Sequence, residues 1–315
     1  MTATDTPARG ALAPRPGAPQ KPAKPPVLER WARRGPLLPA LLVAIVLTQL
    51  PFLATIFYSF QDRNLLRPDQ TGFAGFGNYA AVLGDAQFRG AVLNTVLLTA
   101  AVVIGSIVLA IGLAVLLDQR FPGRGVVRTL LITPFLVMPA AAALIWKHAM
   151  LNPVYGILNW VLSPFGVERV DWASEHPMLS LIIMLVWQWT PFMMLIVLAG
   201  LQSQDPEILE AARVDGAGPF TVFWRITFPQ LRRFIEVAIL LGSIFIVQTF
   251  DPIYLITQGG PGQATTNLPY FIYQRTFRAF EVGEAAAAGV VVVLCTIVIA
   301  TFALRVFSSM FREER

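Results

Sequence analysis

Charge, cysteine and histidine are all scarce in this sequence. Asp, Glu, Lys and Arg make up 14% of the 315 residues, against roughly a quarter in an average soluble protein. With 55% hydrophobic residues and a mean hydropathy of +0.61, too few polar side chains remain to cover a water-soluble core of this size. A polytopic membrane protein fits that composition. The single cysteine, Cys295, excludes an intramolecular disulfide, and it sits in an apolar run that suits inert packing. The two histidines, His148 and His176, are far apart and have no Cys or carboxylate at ligand spacing, which argues against a metal site. There is no G-x-x-x-x-G-K-[ST] stretch to cradle phosphates. There is also no Ser/His/Asp or Cys/His arrangement for nucleophilic catalysis. No catalytic residue, metal or bound cofactor is therefore expected.

Long uncharged runs are abundant. Residues 35–61, 90–117, 129–146, 177–204 and 285–304 contain no charged side chain, and each is long enough for one membrane helix of about 20 residues. A sixth run, 237–250, is shorter before Asp251, but its apolar character continues to Ile256. Six spans are expected, and the fold class is an all-α membrane protein.

The net charge is +5 and the pI about 9.7. In a soluble chain that would suggest nucleic acid. Here the basic residues cluster by loop, so no nucleic-acid partner is expected. Of the 24 Lys and Arg, 17 lie in residues 1–36, 118–128, 201–236 and the tail after 304. The other seven are Arg63, Arg67, Arg89, Lys147, Arg169, Arg275 and Arg278. The positive-inside rule then places both termini in the cytoplasm, which agrees with an even number of spans. Residues 1–28 repeat Pro, Ala and Gly with no periodic apolar pattern, and the tail is taken to run through residues 1–34. They are expected to form a disordered cytoplasmic tail, and they are too long and polar to be a signal peptide. The membrane domain is placed at 35–308, and 309–315 is a second cytoplasmic tail.

Between the fourth and fifth runs lies a polar segment, 204–231, that this topology puts in the cytoplasm. Asp205 suits an N-cap and Pro206 the first helical position. Glu207 complements the positive helix end. Helix formers continue to about Val214, and Gly216 and Gly218 end the helix. Pro219 can start a second short helix with Phe220, Phe223 and Trp224 along one side, and Pro229 is expected to stop it before the next span. The product is a helix–turn–helix elbow with an aromatic face. By physics alone this is either a partner site or an interfacial helix lying on lipid.

At this point the sequence resembles a known family. Glu210-Ala211-Ala212, then Gly216, Ile226 and Pro229 match the signature loop of binding-protein-dependent ABC importer permeases, with Phe228 where the family has Leu. The resemblance implies a type I ABC importer permease fold. It also implies that Glu210, Ala211, Ala212, Asp215, Gly216, Phe223, Ile226 and Pro229 form a coupling helix that inserts into a separate ABC ATPase dimer. ATP would be used by that partner and not by this chain. Other implied partners are a second permease, expected to be a different chain, and an extracytoplasmic solute-binding protein facing the loops at 62–89 and 258–283. The implied location is the bacterial inner membrane.

Within the family, the chain looks most like the carbohydrate-uptake group of maltose, glycerol-phosphate and polyol permeases. Thr257-Gln258-Gly259-Gly260-Pro261-Gly262, the segment Tyr273–Gly283 and the small residues Ala285–Ala288 resemble an external loop and the start of the last span in that group. Met138-Pro139, Ile145-Trp146-Lys147, Asn152-Pro153-Val154-Tyr155-Gly156 and Trp187-Gln188-Trp189 resemble sorbitol/mannitol-type permeases.

Polar residues inside spans are expensive and therefore candidates for the substrate path. Trp187, Gln188 and Trp189 in the fourth run offer stacking faces and an amide to a sugar or polyol. Gln248, Thr249 and Asp251 in the fifth match path-lining positions of maltose-type permeases, although Asp251 and Pro252 depart from that pattern. Asp251 is either a hydroxyl ligand or a marker of the span end. Trp146 and Trp160 read as interfacial anchors, and Pro134 and Pro139 as kinks. The competing class is a secondary, ion-coupled transporter. Such carriers usually bury several ionisable groups and often repeat their halves, and neither pattern is evident here.

Overall fold

The computed structural model describes residues 37–166 and 168–310. The expected tail at 1–34, and 311–315 of the second tail, lie outside the described residues. The chain divides into two units, 1–53 and 54–315. In the first, the described residues form the leading part of helix α1 (Leu37–Ser59). Its large side chains from Leu41 to Leu53 are exposed, and Thr48 Oγ1 bonds back to Ala44 O at 2.7 Å.

The second unit is a helical bundle. After α1 come a two-residue antiparallel ribbon, β1 (Gln61–Asp62) with β2 (Gly72–Phe73), and the short α2 (Gly77–Gly84). Among the described residues, this ribbon and an isolated bridge between Asn64 and Glu281 are the departures from the expected all-α class. Helix α3 (Ala86–Asp118) starts at Asp85, whose carboxylate accepts from Gln87 N at 2.7 Å, the N-cap role that short acidic side chains fill well. α4 (Arg124–Leu136) and α5 (Pro139–Ile145) follow, then a π turn at Trp146–Met150, α6 (Ile157–Leu162) and α7 (Trp172–Glu175). α8 (Pro177–Gln202), α9 (Pro206–Val214) and α10 (Pro219–Val222) lead to α11 (Phe228–Val247). The last two helices are α12 (Leu268–Phe277) and α13 (Val282–Met310).

The core forms where α3, α8 and α11 meet. Val102, Ala110, Met184, Val197, Leu231 and Ala238 are all buried there. Close approach depends on small residues, as in membrane helix packing generally. A Cβ at Gly105 would touch Val186 at 3.0 Å, and one at Gly200 would lie 2.6 Å from the Phe234 ring. Gly242 meets the end of the flexible Met193 side chain. Pro191 interrupts the hydrogen-bond ladder inside α8. Its neighbour Thr190 donates to Val186 O at 2.6 Å.

The membrane spans are only partly as expected. Among the described residues, α1 from Pro39, α3 and α8 are long and apolar enough to cross a membrane. The third expected span is broken: α4 and α5 qualify only as a pair bent by 100°. Pro134 and Pro139 flank the break, as their kink reading anticipated. The fifth is shorter than the apolar run suggests. α11 carries Arg232, Arg233 and Glu236 near its start and stops at Val247, so the apolar residues up to Ile256 are not one helix. The sixth, in α13, is apolar over Val282–Ile297.

Candidate functional site

The elbow forms from local signals. Asp205 Oδ1 accepts from Glu207 N at 3.0 Å, with Pro206 in the first turn of α9. At the other end Gly216 takes φ +82°. Its N–H reaches Arg213 O at 3.1 Å, and Ala217 N–H reaches Ala212 O at 3.0 Å. Those two bonds are the Schellman pattern that closes a helix on a left-handed residue. No atom lies within 4 Å of a Cβ built on Gly216, so its requirement within this chain is conformational. Gly218 then precedes α10 with Pro219 in its first turn.

The expectation that Pro229 stops the second helix is corrected by the structure. α10 runs through a π turn at Phe223–Thr227 directly into α11, with Pro229 in the first turn of that helix. Phe228 N–H bonds to Phe223 O, five residues back. The wider turn gives a Pro that lacks a donor a place in a continuing helix. The elbow is thus continuous with α11.

Its surface is exposed and apolar on one side. Val214, Phe220 and Trp224 are 87%, 77% and 49% exposed. Glu210, Ala211, Asp215, Gly216 and Pro229 are exposed as well, while Ala212 and Ile226 are half-buried. Trp224 packs against Phe228 at 4.9 Å and Phe223 at 5.4 Å between ring centroids. Phe223 departs from the expected common face. It is half-buried and lines a cleft with Val115 and Leu201 at the ends of α3 and α8 and Leu209 of α9. Positions 220 and 224, four apart, share a side, while 223 is turned by about 100° from 224. Gln204 Nε2 donates to Thr227 O at 3.1 Å and closes the elbow at its base.

The six candidate path residues do not converge on one face. Trp187 packs on Trp146, centroids 5.7 Å apart. Trp189 stacks on Phe245 of α11 at 5.5 Å and 15°, beside Phe135 of α4. Residues two apart on a helix point about 200° apart, which separates the two indoles. Gln188 is buried between them, and its Nε2 donates to Val137 O at the α4–α5 break, at 3.2 Å. Gln248 is exposed at the end of α11 and bonds back to Ile244 O. Thr249 is buried, and Asp251 is half-buried just before a third π turn at Ile253–Thr257.

Several polar residues of this region carried no local sequence signal. Asn267, 1% exposed, caps α12 through Tyr270 N at 3.1 Å and donates its Nδ2 to Thr249 O at 2.5 Å. Thr95 Oγ1 accepts from Leu268 N at 3.0 Å, and Asn94 Nδ2 donates to Gln263 O and Thr266 O at 2.9 and 3.0 Å. Lys147 Nζ donates to Leu255 O at 2.7 Å, joining two π turns. Apart from the local Asn267–Tyr270 cap, these partners lie 18 to 173 residues apart. A composition signal existed only for Lys147, as a charge beside a span.

At the opposite end of the unit from the elbow, the segments 62–89 and 258–283 come together. Asn64 and Glu281 form an isolated bridge, and Leu65 N bonds Phe280 O at 2.9 Å. Arg275 pairs with Asp85, Glu281 and Glu284. Gly259, at φ +80°, sits against Thr266 Oγ1 and Tyr270. The Gly-Gly-Pro-Gly turn is therefore packed at its first glycine, while Pro261 and Gly262 are exposed. Among the described residues no cluster of His, Cys, Asp and Glu could hold a metal ion.

A family model described as "Binding-protein-dependent transport system inner membrane component" matches residues 106–313, which include the whole elbow. The chain belongs to this family. It is therefore a permease component of an ABC importer, and the ion-coupled carrier is set aside. The permease is 36% identical over 252 residues to a probable ABC transporter permease protein of Sinorhizobium fredii, covering 79% of this chain and 81% of the relative. It is 33% identical over 270 residues to the trehalose/maltose transport system permease protein of Thermococcus litoralis, covering 85% and 90%. Its fold is that of a chain in the crystal structure of a bacterial ABC transporter involved in import of the acidic polysaccharide alginate. The TM-score there is 0.75, at 23% identity, over 90% of this chain and 97% of the other.

Proposed function

We propose that the permease carries a sugar or polyol into the cell by alternating access, driven by a separate ABC ATPase dimer. The observation that carries this reading is the exposed elbow, fixed by the Asp205 cap and the Gly216 Schellman turn and continuous with α11. Its exposed Val214, Phe220 and Trp224 form the kind of apolar patch that a partner covers. Glu210, Ala211, Ala212, Asp215, Gly216, Phe223, Ile226 and Pro229 make up the coupling surface and its support. A displacement of the elbow by the ATPases is passed to α11 without an intervening joint, and α11 stacks on α8 through Phe245 and Trp189. Trp187, Gln188, Trp189, Gln248, Thr249 and Asp251 are assigned to the substrate path.

The assembly contains a second, different permease chain and an extracytoplasmic solute-binding protein that docks on the exposed surface of 62–89 and 258–283, which leaves out buried residues such as Asn267. The chain crosses the membrane six times, with α4–α5 as one broken span and both termini in the cytoplasm. The distribution of 17 of the 24 basic residues supports that orientation. Trehalose and maltose in the name of one relative support a carbohydrate cargo. The sorbitol/mannitol assignment rests on the residue pattern at 138–156 and 187–189 alone.

ATP-dependent uptake of labelled trehalose, maltose, sorbitol and mannitol by vesicles holding the complete assembly tests the proposal. One of the four is expected to accumulate only with ATP and binding protein. Uptake of none of them removes the cargo assignment. Uptake that survives ATP depletion and collapses with the proton gradient removes the mechanism.

A further inference from the structure

We infer that Asn267 is a positioning residue for transport, tying the end of α11 farthest from the elbow to the loop at 258–266. The residue is 1% exposed and both polar ends of its side chain are used. Oδ1 accepts from Tyr270 N at 3.1 Å and caps α12. Nδ2 donates to Thr249 O, two residues beyond the end of α11. One residue on, Leu268 N is held by Thr95 Oγ1 of α3 at 3.0 Å. Asn94 holds the carbonyls of Gln263 and Thr266, and Thr257 and Thr265 close the loop on itself at 2.7 Å. Among the hydrogen bonds described, the one from Asn267 Nδ2 reaches Thr249, in the backbone just leaving α11.

The placement gives the bond a role beyond capping. α11 has 20 residues and is about 30 Å long. The elbow joins it at Phe228, and Asn267 grips the chain just past its other end. A helix tied at both ends transmits displacement. Phe250, just past α11, also packs on Tyr270 and Tyr273, so loss of the Asn267 bond loosens the link between the end of α11 and the loop at 258–266 without severing it. Arrival of a partner at that loop and movement of the elbow are then less tightly linked, because coupling between sites needs an element that both of them bias. The two ends of the Asn side chain can be separated chemically. Ser retains an acceptor for the α12 cap but is too short to reach Thr249 O. Asp retains the cap acceptor and replaces the donor with a second acceptor.

This inference rests on the coupling reading of the elbow, and the test keeps the two apart. Asn267→Ser and Asn267→Asp are placed in the complete assembly, and ATP hydrolysis is measured with and without the liganded binding protein, beside uptake. Both variants are expected to assemble and to hydrolyse ATP at the basal wild-type rate, with stimulation by the binding protein reduced roughly tenfold, the size of one well-placed hydrogen bond. Asn267→Gln, which retains the donor, is expected to recover part of the stimulation. Wild-type stimulation in both Ser and Asp variants overturns the inference, as does a parallel fall in assembly, basal and stimulated hydrolysis, which marks a purely structural cap. Failure of the elbow reading shows itself elsewhere, as wild-type uptake in a Gly216 variant.

Discussion

Gln204 and Thr227 hold the elbow shut: the Gln204 amide donates to the Thr227 carbonyl at 3.1 Å across 23 residues. Thr227 is the last residue of the π turn at the base of α11, and its residue is buried. The bond therefore links the start of the elbow to the helix it moves. Thr227 O also sits where it accepts the first bond within α11, so Gln204→Ala removes a second hydrogen bond worth about 0.5–1.5 kcal/mol. Uptake is expected to fall several-fold with membrane insertion unchanged. Transport assays beside quantified membrane levels of the variant check this, and equal uptake at equal levels contradicts it.

Gly216 separates a conformational demand from a steric one. A left-handed residue other than Gly or Asn costs roughly 1–2 kcal/mol, and nothing within the chain crowds the position. Gly216→Val is expected to abolish uptake while the protein still inserts. Gly216→Asn, which tolerates this backbone region, is expected to retain more uptake than Val. If both lose it equally, a partner surface lies directly against the glycine.

Gln188 and Gln248 give opposite signatures although both were assigned to the path. Gln188 is buried and serves Val137 O, whereas Gln248 is exposed and bonds only its own helix among the contacts described. Gln188→Leu is expected to lower both uptake and the thermal midpoint of the detergent-purified protein, by about 1–3 kcal/mol of stability. Gln248→Leu is expected to lower uptake and leave the midpoint unchanged. Melting curves paired with transport rates distinguish the two, and unchanged uptake in both variants removes them from the path.

The elbow was legible in the sequence because its determinants are local. Asp205, Pro206 and Gly216 each act within a few residues of themselves, and the structure finds all three in the expected roles. The break near Pro134 and Pro139 was legible for the same reason. The continuity through Pro229 was not, since a π turn leaves no compositional mark. Neither was the knot of Asn94, Thr95 and Asn267. Each is an ordinary polar residue in its own neighbourhood, and its meaning comes from a partner brought close only by folding. Trp187-Gln188-Trp189 read as one cluster along the chain, but helix geometry sends the three side chains different ways.

The 100° break between α4 and α5 also bears on biogenesis. Backbone at such a break cannot rest against lipid with its carbonyls unpaired, and the donor for Val137 O is Gln188, 51 residues later in the chain. The ribosome makes the acceptor first. Residues 124–150 cannot take up their final shape in the bilayer until α8 has been synthesised and inserted beside them. The two segments are therefore expected to leave the insertion machinery as a pair, and a chain truncated before residue 177 would keep that break in protein or water.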